Sequence, residues 1–359
     1  METKYDLLCL EGQFTTMEDY GRMSSSTSGS DARPWRRWIT LFAATFLGLG
    51  GSLFVLLLLI DPYDTGRFPT LGIVGVSDNT PRTAHVSRAR DPAFDSAVIG
   101  NSTGQLIDPH RLSAATGLRF TQLTIPATGP REQMAILDWF RTRREKIGAI
   151  VLTTDTSWCA QTLDLPLRYP FPFWLYGGDL DYLRHVLNSK SLDRAVWRVQ
   201  LALGSRTRSD PVGYSDYTLG RNFIFVEAMP VPIEDLSNIV LPPRFPWLDR
   251  LTRVVAQLPA NARMVLVMPP VFAQLMARAG SNEEQVVQAC KAALAAAVAP
   301  RPGGFVDALV DDAVTRDPAN FMDGVHYRSN LARTLEDRII ATLGPGVQAG
   351  HARLPDLAH

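Results

Sequence analysis

The pattern of hydrophobic positions changes character along the chain. From 38 to 60 no residue is charged, and this run ends in VLLLLI. Beyond residue 92, short apolar runs alternate with stretches in which apolar residues recur at helical spacing. Strands that alternate with helices are typical of a parallel sheet with right-handed crossovers. We therefore predict an α/β fold that follows one apolar N-terminal helix.

The alternating part predicts five strands and four helices. Strands are expected at 95–101, 119–125, 148–154 and 264–270, with a weaker strand at 303–309. Helices are expected at 109–116, 130–146, 282–298 and 329–343. Ligands of such sheets bind beyond the carboxyl ends of the strands, and Ser102 follows the first predicted strand.

The first sixty residues are not of one kind. Residues 1–37 are expected to form a disordered cytoplasmic tail, because they are polar and contain a Ser, Thr and Gly run at 24–30. Met23 is an alternative candidate for the initiating methionine, which the sequence leaves open. The stretch 38–60 is long enough to cross a hydrocarbon core of roughly 30 Å, so we predict a transmembrane helix. A core helix would carry a polar face, and a cleavable signal peptide would be shorter and followed by a small-residue cleavage site.

Flanking charge predicts the orientation of this helix. Arg33, Arg36 and Arg37 precede it, whereas Asp61 and Asp64 follow it. The positive-inside rule then places the N-terminus in the cytoplasm. We predict a single-pass protein of the inner (cytoplasmic) membrane whose C-terminal part is periplasmic or otherwise extracytoplasmic.

The region after the helix divides by composition. Residues 61–92 are rich in turn formers without a helical period, so we predict a stalk. A catalytic domain is expected at 93–345, with an insertion at about 159–261, and a polar tail at 346–359. Within the insertion, 168–183 is dense in aromatic residues and proline. It could form one wall of a cleft, cover a sheet edge or rest on the membrane.

Overall charge and short motifs exclude several functions. Lys plus Arg number 36 and Asp plus Glu number 36, so nothing favours nucleic acid as a partner. The segment IGNSTG lacks the glycine spacing and the lysine of nucleotide-binding loops. No His, Cys or carboxylate cluster has the spacing of metal ligands. We expect neither a cofactor nor a metal.

One serine, one aspartate and one histidine carry the candidate chemistry. Ser102 stands where a strand ends and a helix would begin, and Asp323 and His326 share one short turn. A serine hydroxyl needs a base to remove its proton, and imidazole suits that role near neutral pH. Taken singly, these residues would be a helix cap and a turn. Together, in this order on an alternating fold, they predict a nucleophilic triad.

The order of four blocks resembles the SGNH, or GDSL-type, hydrolase superfamily. The blocks are IGNST at 99–103, TIPATGP at 124–130, VLTTDTSW at 151–158 and DGVH at 323–326. A membrane anchor followed by DPY is similar to extracytoplasmic SGNH-like proteins of cell-envelope acylation, of the teichoic acid D-alanyl-transfer and alginate O-acetylation types. The resemblance covers roughly residues 61–343, and its specificity lies in the order of the motifs.

This resemblance implies a fold and a set of roles. The fold would be a three-layer α/β/α arrangement with a parallel central sheet. Ser102 would be the nucleophile, His326 the base and Asp323 its orienting residue. The N–H groups of Ser102 and Gly129 would bind the oxyanion.

Two positions depart from the SGNH pattern. The usual Asp before the nucleophile is Asn101, and the block that normally offers an Asn amide to the oxyanion has Asp155. A carboxylate there would oppose an oxyanion, so Asp155 either points elsewhere, is protonated or binds substrate. The Thr154 hydroxyl or the Asn101 amide could supply the third donor. We take Asn101, Asp155 and Trp158 as candidate substrate-binding residues.

Two functions follow as expectations. The first is a membrane-anchored serine esterase or O-acyltransferase that acts on acyl esters, acetyl foremost, of envelope or exported glycans. The second is a weakly catalytic binding or scaffold partner of an integral-membrane O-acyltransferase.

Of three cysteines, Cys9 would be cytoplasmic and Cys159 and Cys290 outside. The sequence leaves their pairing open, and we expect two buried thiols rather than a disulfide.

Overall fold

The computed structural model describes residues 32–68, 74–219, 224–226 and 236–344. The predicted tails, up to residue 31 and from 346 onward, lie outside these ranges. The chain divides into two compact units, Met1–Ser52 and Leu53–His359. The second unit contains the sheet and the candidate site.

A long apolar helix opens the described part of the chain. Helix α1 runs over Ala32–Ile60, and its segment Trp35–Ile60 is long and apolar enough to cross a membrane. The helix therefore begins before the predicted residue 38, because Trp35, Arg36 and Arg37 have helical backbone as well. Its length and composition agree with the expected span.

Five parallel strands form the central sheet. In chain order they are β1 Ser96–Gly100, β2 Phe120–Thr124, β3 Ala149–Thr153, β4 Arg263–Met268 and β5 Gly303–Asp307. Their order across the sheet is β2-β1-β3-β4-β5, and every pair is parallel. All five residues of β1, β2 and β3 are buried, as expected for a parallel sheet covered on both faces. The predicted α/β class and the five strands are confirmed.

Helices connect and flank the strands. They are α2 Pro81–Arg90, α3 Pro109–Thr116, α4 Pro130–Thr142, α5 Phe173–Tyr176, α6 Asp179–His185, α7 Ser189–Ala202, α8 Pro246–Ala256, α9 Asn282–Val298, α10 Ala313–Arg316 and α11 Ser329–Leu343. The bounds of α3, α9 and α11 match the prediction, whereas α4 ends at Thr142 rather than at 146. Gly117, in the left-handed conformation that glycine favours, ends α3.

Alternate positions along the strands belong to two hydrophobic clusters. Ile99, Leu152 and Leu266 pack in a cluster that includes residues of α4, α8 and α9. Val98 and Val151 pack in another with residues of α3 and α11. Successive side chains of a strand point to opposite faces, so these two clusters bury the two faces of the sheet.

The prediction of a stalk at 61–92 is wrong. Helix α2 lies within it, and Ala84, Val86 and Ala89 are fully buried. The Trp139 indole N–H donates a hydrogen bond to the Val86 carbonyl over 3.0 Å. This segment is therefore a packed part of the second unit. Its helical period was hidden because arginines, threonine and serine separate the few apolar positions of a short helix.

Three aromatic side chains of the insertion, Phe171, Tyr176 and Tyr182, are buried in the core. Phe171 and Tyr176 are buried and stacked with their ring centroids 5.0 Å apart. The Tyr176 hydroxyl donates to the Arg82 carbonyl over 3.0 Å. These residues pack against α2 and α4 rather than form an open cleft wall, although Tyr169 remains exposed. The insertion also contains helices α5 to α8, which lie between β3 and β4 in the chain and were not predicted.

A disulfide joins Cys159 and Cys290, whose Cα atoms are 5.5 Å apart. The expectation of two thiols is wrong here. The bond links the turn that follows β3 to helix α9. Sequence could not reveal it, because the two cysteines are 131 positions apart and only the packing of α9 brings them together.

Candidate active site

The candidate nucleophile lies in a tight turn at the carboxyl end of β1. Ser102 begins a 3-10 turn, Ser102–Gly104, which Asn101 caps. The Asn101 side-chain oxygen accepts hydrogen bonds from the Thr103 N–H (3.0 Å) and hydroxyl (2.8 Å). Gly100 has φ of 155°, and a Cβ there would lie 1.8 Å from the Thr153 hydroxyl oxygen. Glycine is therefore required for this close approach of the turn to β3.

The candidate acid and base share a closed turn before α11. The N–H of Met322 donates to the His326 carbonyl over 2.8 Å. One oxygen of Asp323 accepts from the N–H groups of Val325 and His326, both at 2.8 Å. These backbone bonds fix the carboxylate against the imidazole ring of its own turn.

Three side chains meet at hydrogen-bond distance. The Ser102 hydroxyl oxygen lies 2.8 Å from His326 Nε2. On the other side of the ring, His326 Nδ1 donates to Asp323 Oδ2 over 2.8 Å. All three residues are partly exposed, so a ligand at the surface could reach them. The structure thus brings together the three predicted catalytic residues, although Ser102 and His326 are 224 positions apart in the sequence.

Hydrogen bonds set the charge state of Asp323. Burial by itself would raise the pKa of this carboxyl, but hydrogen bonds from the His326 ring and from two backbone N–H groups lower the pKa below its usual value. The group is therefore ionised at neutral pH. A fixed carboxylate in this place can orient the imidazole and stabilise its protonated form.

Several residues that sequence reasoning missed hold the two turns in place. The Tyr327 hydroxyl donates to the Thr103 carbonyl, which ties the acid–base turn to the nucleophile turn. The N–H of Phe272 donates to the Gly324 carbonyl over 2.9 Å. Gln122, buried in the middle of β2, donates to the Gln105 carbonyl over 2.9 Å. A glutamine inside a strand of apolar and threonine residues was the available sequence signal for the last contact.

The expected oxyanion donors are largely occupied. The Gly129 N–H donates to the Glu132 carboxyl over 3.2 Å, and burial raises the pKa of that carboxyl. The buried Thr154 hydroxyl donates to the Val267 carbonyl over 3.1 Å. The expectation that Thr154 supplies a donor is therefore not supported, because its hydroxyl is used within the sheet. The Ser102 N–H is the remaining backbone candidate.

The two positions that depart from the family pattern meet in one hydrogen bond. The Asn101 amide donates to Asp155 Oδ2 over 2.5 Å. The other Asp155 oxygen accepts from the Ser157 N–H over 2.8 Å and from the Ser157 hydroxyl. Asp155 thus caps the 3-10 turn Thr156–Cys159 while it holds the residue before the nucleophile. Of the alternatives left open for Asp155, this contact favours a carboxylate directed at Asn101.

Trp158 cannot contact a substrate in this structure. It is fully buried, and its indole N–H donates to the Gln133 side-chain oxygen over 3.0 Å. Gln133 in turn donates to the Thr128 carbonyl over 3.1 Å. The predicted substrate-binding role of Trp158 is wrong. Its position instead supports the loop that leads to Gly129.

Within the described ranges, no three His, Cys, Asp or Glu side chains are grouped so that they could hold a metal ion. What the arrangement offers chemically is a hydroxyl, an imidazole and an ionised carboxylate in series.

A scan against models of known protein families finds no match. A search of curated proteins also finds no similar sequence.

Proposed function

We propose that this chain is a membrane-anchored, extracytoplasmic serine esterase or O-acyltransferase. Its substrates are acyl esters, acetyl foremost, of envelope or exported glycans. The observation that carries the proposal is the series Ser102 hydroxyl, His326 imidazole and Asp323 carboxylate, with 2.8 Å contacts at the carboxyl end of a parallel sheet. Parallel sheets of this kind place ligands at that edge.

The reaction would proceed in two balanced steps. The Ser102 oxygen bonds to the ester carbonyl carbon while its proton moves to His326 Nε2. The carbon–oxygen bond of the ester then breaks, and the leaving alcohol takes that proton. In the second step, water or a glycan hydroxyl gives its proton to His326 and bonds to the acyl carbon; the bond from that carbon to the Ser102 oxygen then breaks, and Ser102 takes the proton back from His326. Hydrolysis and transfer share the first step and differ in the acceptor.

The family resemblance adds support of its own. We propose the three-layer SGNH arrangement, because the four blocks follow one another in family order and surround the carboxyl ends of β1, β2 and β3. In the SGNH pattern an Asp precedes the nucleophile and an Asn stands in the third block. Here Asn101 and Asp155 exchange these two residue types and share a hydrogen bond. The pair therefore still consists of one amide donor and one carboxylate acceptor, at exchanged positions.

Two observations support an extracytoplasmic location. Arginines precede α1 and aspartates follow it, which favours a cytoplasmic N-terminus. The Cys159–Cys290 disulfide is typical of oxidising compartments such as the periplasm or the cell exterior. We therefore place the second unit outside the inner membrane. An integral-membrane O-acyltransferase, as acyl donor, is the proposed partner.

A non-catalytic binding or scaffold function is the second candidate. It is favoured by the occupied donors, since the Gly129 N–H bonds to Glu132 and the Thr154 hydroxyl bonds to Val267. One missing oxyanion donor typically costs about 3–4 kcal/mol of transition-state stabilisation. Such a protein would keep the cleft and bind a glycan with little turnover.

The test compares Ser102→Ala with Ser189→Ala, an exposed serine at the start of α7. In full-length protein in detergent, we expect Ser102→Ala to lower kcat on a short-chain acetyl ester by at least about a thousandfold. His326→Ala should lose a similar factor, because the two side chains act as one unit. Asp323→Asn should lose less than either. A fluorophosphonate probe should label the wild type and Ser189→Ala but not Ser102→Ala.

The enzymatic proposal fails if wild type resists the probe and shows no esterase or transfer activity on acetylated glycans. Full complementation of a deletion strain by Ser102→Ala would then favour the scaffold. Thermal unfolding of each variant controls for misfolding.

A further inference from the structure

Helix α7 has one face packed in the second unit and one face in solvent. Ser191, Ala195 and Arg198 are buried. These positions recur at spacings of three and four, so they form one side of the helix.

Beside the buried face runs an exposed stripe of aliphatic side chains. Leu192 is 37% exposed, Val196 55% and Val199 37%, and Leu203 at the end of the helix is 77% exposed. Their spacings of four, three and four place them on one side of the helix. Single exposed apolar residues are common on proteins, whereas a contiguous apolar strip marks an interaction surface.

This stripe adjoins the last turn of α1. Leu57 and Ile60 are almost completely buried in a small cluster with Ala195. Leu192 and Val199 flank Ala195 along α7, three and four positions away. The stripe therefore begins where α7 touches the carboxyl end of the apolar helix.

The position of Leu57 and Ile60 sets the depth of that contact. A helix rises about 1.5 Å per residue, so roughly 20 residues cross a hydrocarbon core of about 30 Å. Counted from Trp38, where the uncharged stretch begins, this length ends close to Leu57. Helix α7 would then lie at the level where the hydrocarbon meets the headgroups.

An aromatic ring between two cations stands on another side of α7. The guanidinium groups of Arg194 and Arg206 lie 4.0 Å and 3.9 Å from the ring centroid of Trp197. Trp197 follows Lys190 by seven positions, about two turns, so this ring lies on the side of α7 opposite the stripe and takes no part in the proposed insertion.

We propose that α7 lies in the plane of the membrane surface, with Leu192, Val196, Val199 and Leu203 inserted among the lipids. The inference rests on the proposed membrane placement of α1. A lipid surface is favoured over a protein because the stripe is continuous with the turn of α1 that leaves the bilayer, and because its aliphatic side chains offer no hydrogen-bonding group. The arrangement is that of an interfacial amphipathic helix.

The experiment measures the depth of single positions in the full chain. In a Cys9→Ser background, Val196→Cys and Val199→Cys are labelled with an environment-sensitive fluorophore. The protein is reconstituted in 3:1 phosphatidylcholine and phosphatidylglycerol vesicles. Lipid-borne doxyl quenchers and an aqueous iodide quencher are compared. The matched control is Lys190→Cys on the opposite side of α7, and Ala341→Cys on α11 serves as an aqueous control.

We expect lipid quenching at 196 and 199 to exceed that at 190 and 341 at least threefold, with the reverse order for iodide. Accessibility to iodide at 196 and 199 would overturn the inference. Protection from both quenchers would also overturn it, in favour of a protein partner or a second copy. Phe46→Cys, inside α1, separates failure of this inference from failure of the membrane placement on which it rests. If 46 is quenched by lipid and 196 is not, only the surface inference fails; if 46 is not quenched, the membrane placement fails too.

Discussion

At the scale of single residues, the contact between Asn101 and Asp155 sets the conditions for the nucleophile turn. The Asn101 oxygen is used by Thr103 and its amide donates to Asp155. The Asp155 oxygens accept from Asn101 and Ser157. Each group thus has one permitted orientation. Asp155→Asn alone should place a donor against a donor. Asn101→Asp alone should place one carboxylate against another.

This contact yields a double-mutant prediction. Asp155→Asn and Asn101→Asp should each lower the thermal midpoint, because a buried hydrogen bond lost at one partner costs about 1–3 kcal/mol. The reciprocal double variant should recover most of that loss, since an amide at 155 can donate to a carboxylate at 101. Unfolding of the four proteins gives the coupling free energy. We expect it to exceed about 1 kcal/mol.

The same cycle should report on catalysis. The double variant places a neutral amide where the SGNH resemblance expects an oxyanion donor, so hydrolysis of a short-chain ester should exceed that of wild type, by about tenfold or more. Additive losses of stability would contradict the contact. Restored stability without a gain in hydrolysis would show that position 155 does not face the oxyanion.

The residue scale also shows where sequence reasoning stops. Ser102, Asp323 and His326 could be named because a strand end and a short turn fix their places in the chain. The partners of Gly129 and Thr154 could not be predicted. Whether their donors are free depends on Glu132 in the next helix and on Val267 of a neighbouring strand. Such occupancy is a property of packing, not of spacing.

At the scale of elements, the five strands and helices α3, α4, α9 and α11 were predicted, whereas α2 and the helices of the insertion were not. The bounds of α9 follow from a capping serine and an alanine-rich amphipathic stretch. Helix α2 was missed because it has ten residues with four arginine and threonine positions among them. Its burial comes from tertiary contacts, such as the bond from Trp139 to Val86. The class of fold was therefore accessible from sequence, and the packing of 61–92 was not.

Helix α2 and strand β2 are joined by a buried histidine. His85 Nε2–H donates to the Thr124 carbonyl over 2.9 Å, and the Arg88 guanidinium donates to His85 Nδ1 over 3.2 Å. Both ring nitrogens are thus satisfied in the neutral form. Burial, with the charge of Arg88 as the next cause, lowers the pKa of His85 to about 3.

This histidine should make the fold acid-sensitive. An unfolded histidine has a pKa near 6.5, so between about pH 6.5 and pH 3 the unfolded chain binds a proton that the folded chain does not. Stability from this group is complete above pH 6.5 and falls as the pH drops, by up to about 1.4 kcal/mol per pH unit. His85→Gln keeps a donor without a titrating ring. We expect its thermal midpoint to depend less on pH between 6.5 and 4.

The control for this prediction is His110→Gln, an exposed histidine at the start of α3. Its pH dependence should follow that of the wild type. Equal pH slopes for wild type and His85→Gln would contradict a neutral buried His85. The midpoint of His85→Gln at pH 7.5 shows how much stability the substitution itself removes.

At the scale of the whole molecule, the segment that follows α1 is packed within the second unit. Asp64 is buried and pairs with Arg90 at 2.6 Å and Arg198 at 3.4 Å. Its second oxygen accepts from the Ser87 hydroxyl over 2.6 Å and from the Gly75 N–H over 2.8 Å. A single carboxylate thereby joins the segment after α1 to α2 and α7. Removal of one partner from such a buried network typically costs about 3–5 kcal/mol.

The disulfide joins helix α9 to the turn that Asp155 caps beside the candidate site. It closes a loop of 131 positions, from the turn capped by Asp155 to α9. A cross-link over so long a loop restricts the unfolded chain, and its loss typically costs about 2–5 kcal/mol. We expect Cys159→Ala with Cys290→Ala to lower the thermal midpoint in detergent. Reduction of the wild type with dithiothreitol should lower it by a similar amount and should leave the double variant unchanged.

The same bond gives a test of orientation in the cell. In a Cys9→Ser background, Cys159 and Cys290 are the remaining cysteines of the sequence. If the second unit is extracytoplasmic, both should resist a maleimide–polyethylene glycol reagent after acid quenching and denaturation, and both should react after reduction, giving a mobility shift of two adducts. Removal of the N-terminal residues through α1, which retains the rest of the chain in the cytoplasm, should make both thiols reactive without reduction. Two adducts on the unreduced, anchored protein would place the second unit in a reducing compartment. Because glutathione keeps cytosolic thiols reduced, that result would contradict the orientation predicted from the arginines before α1.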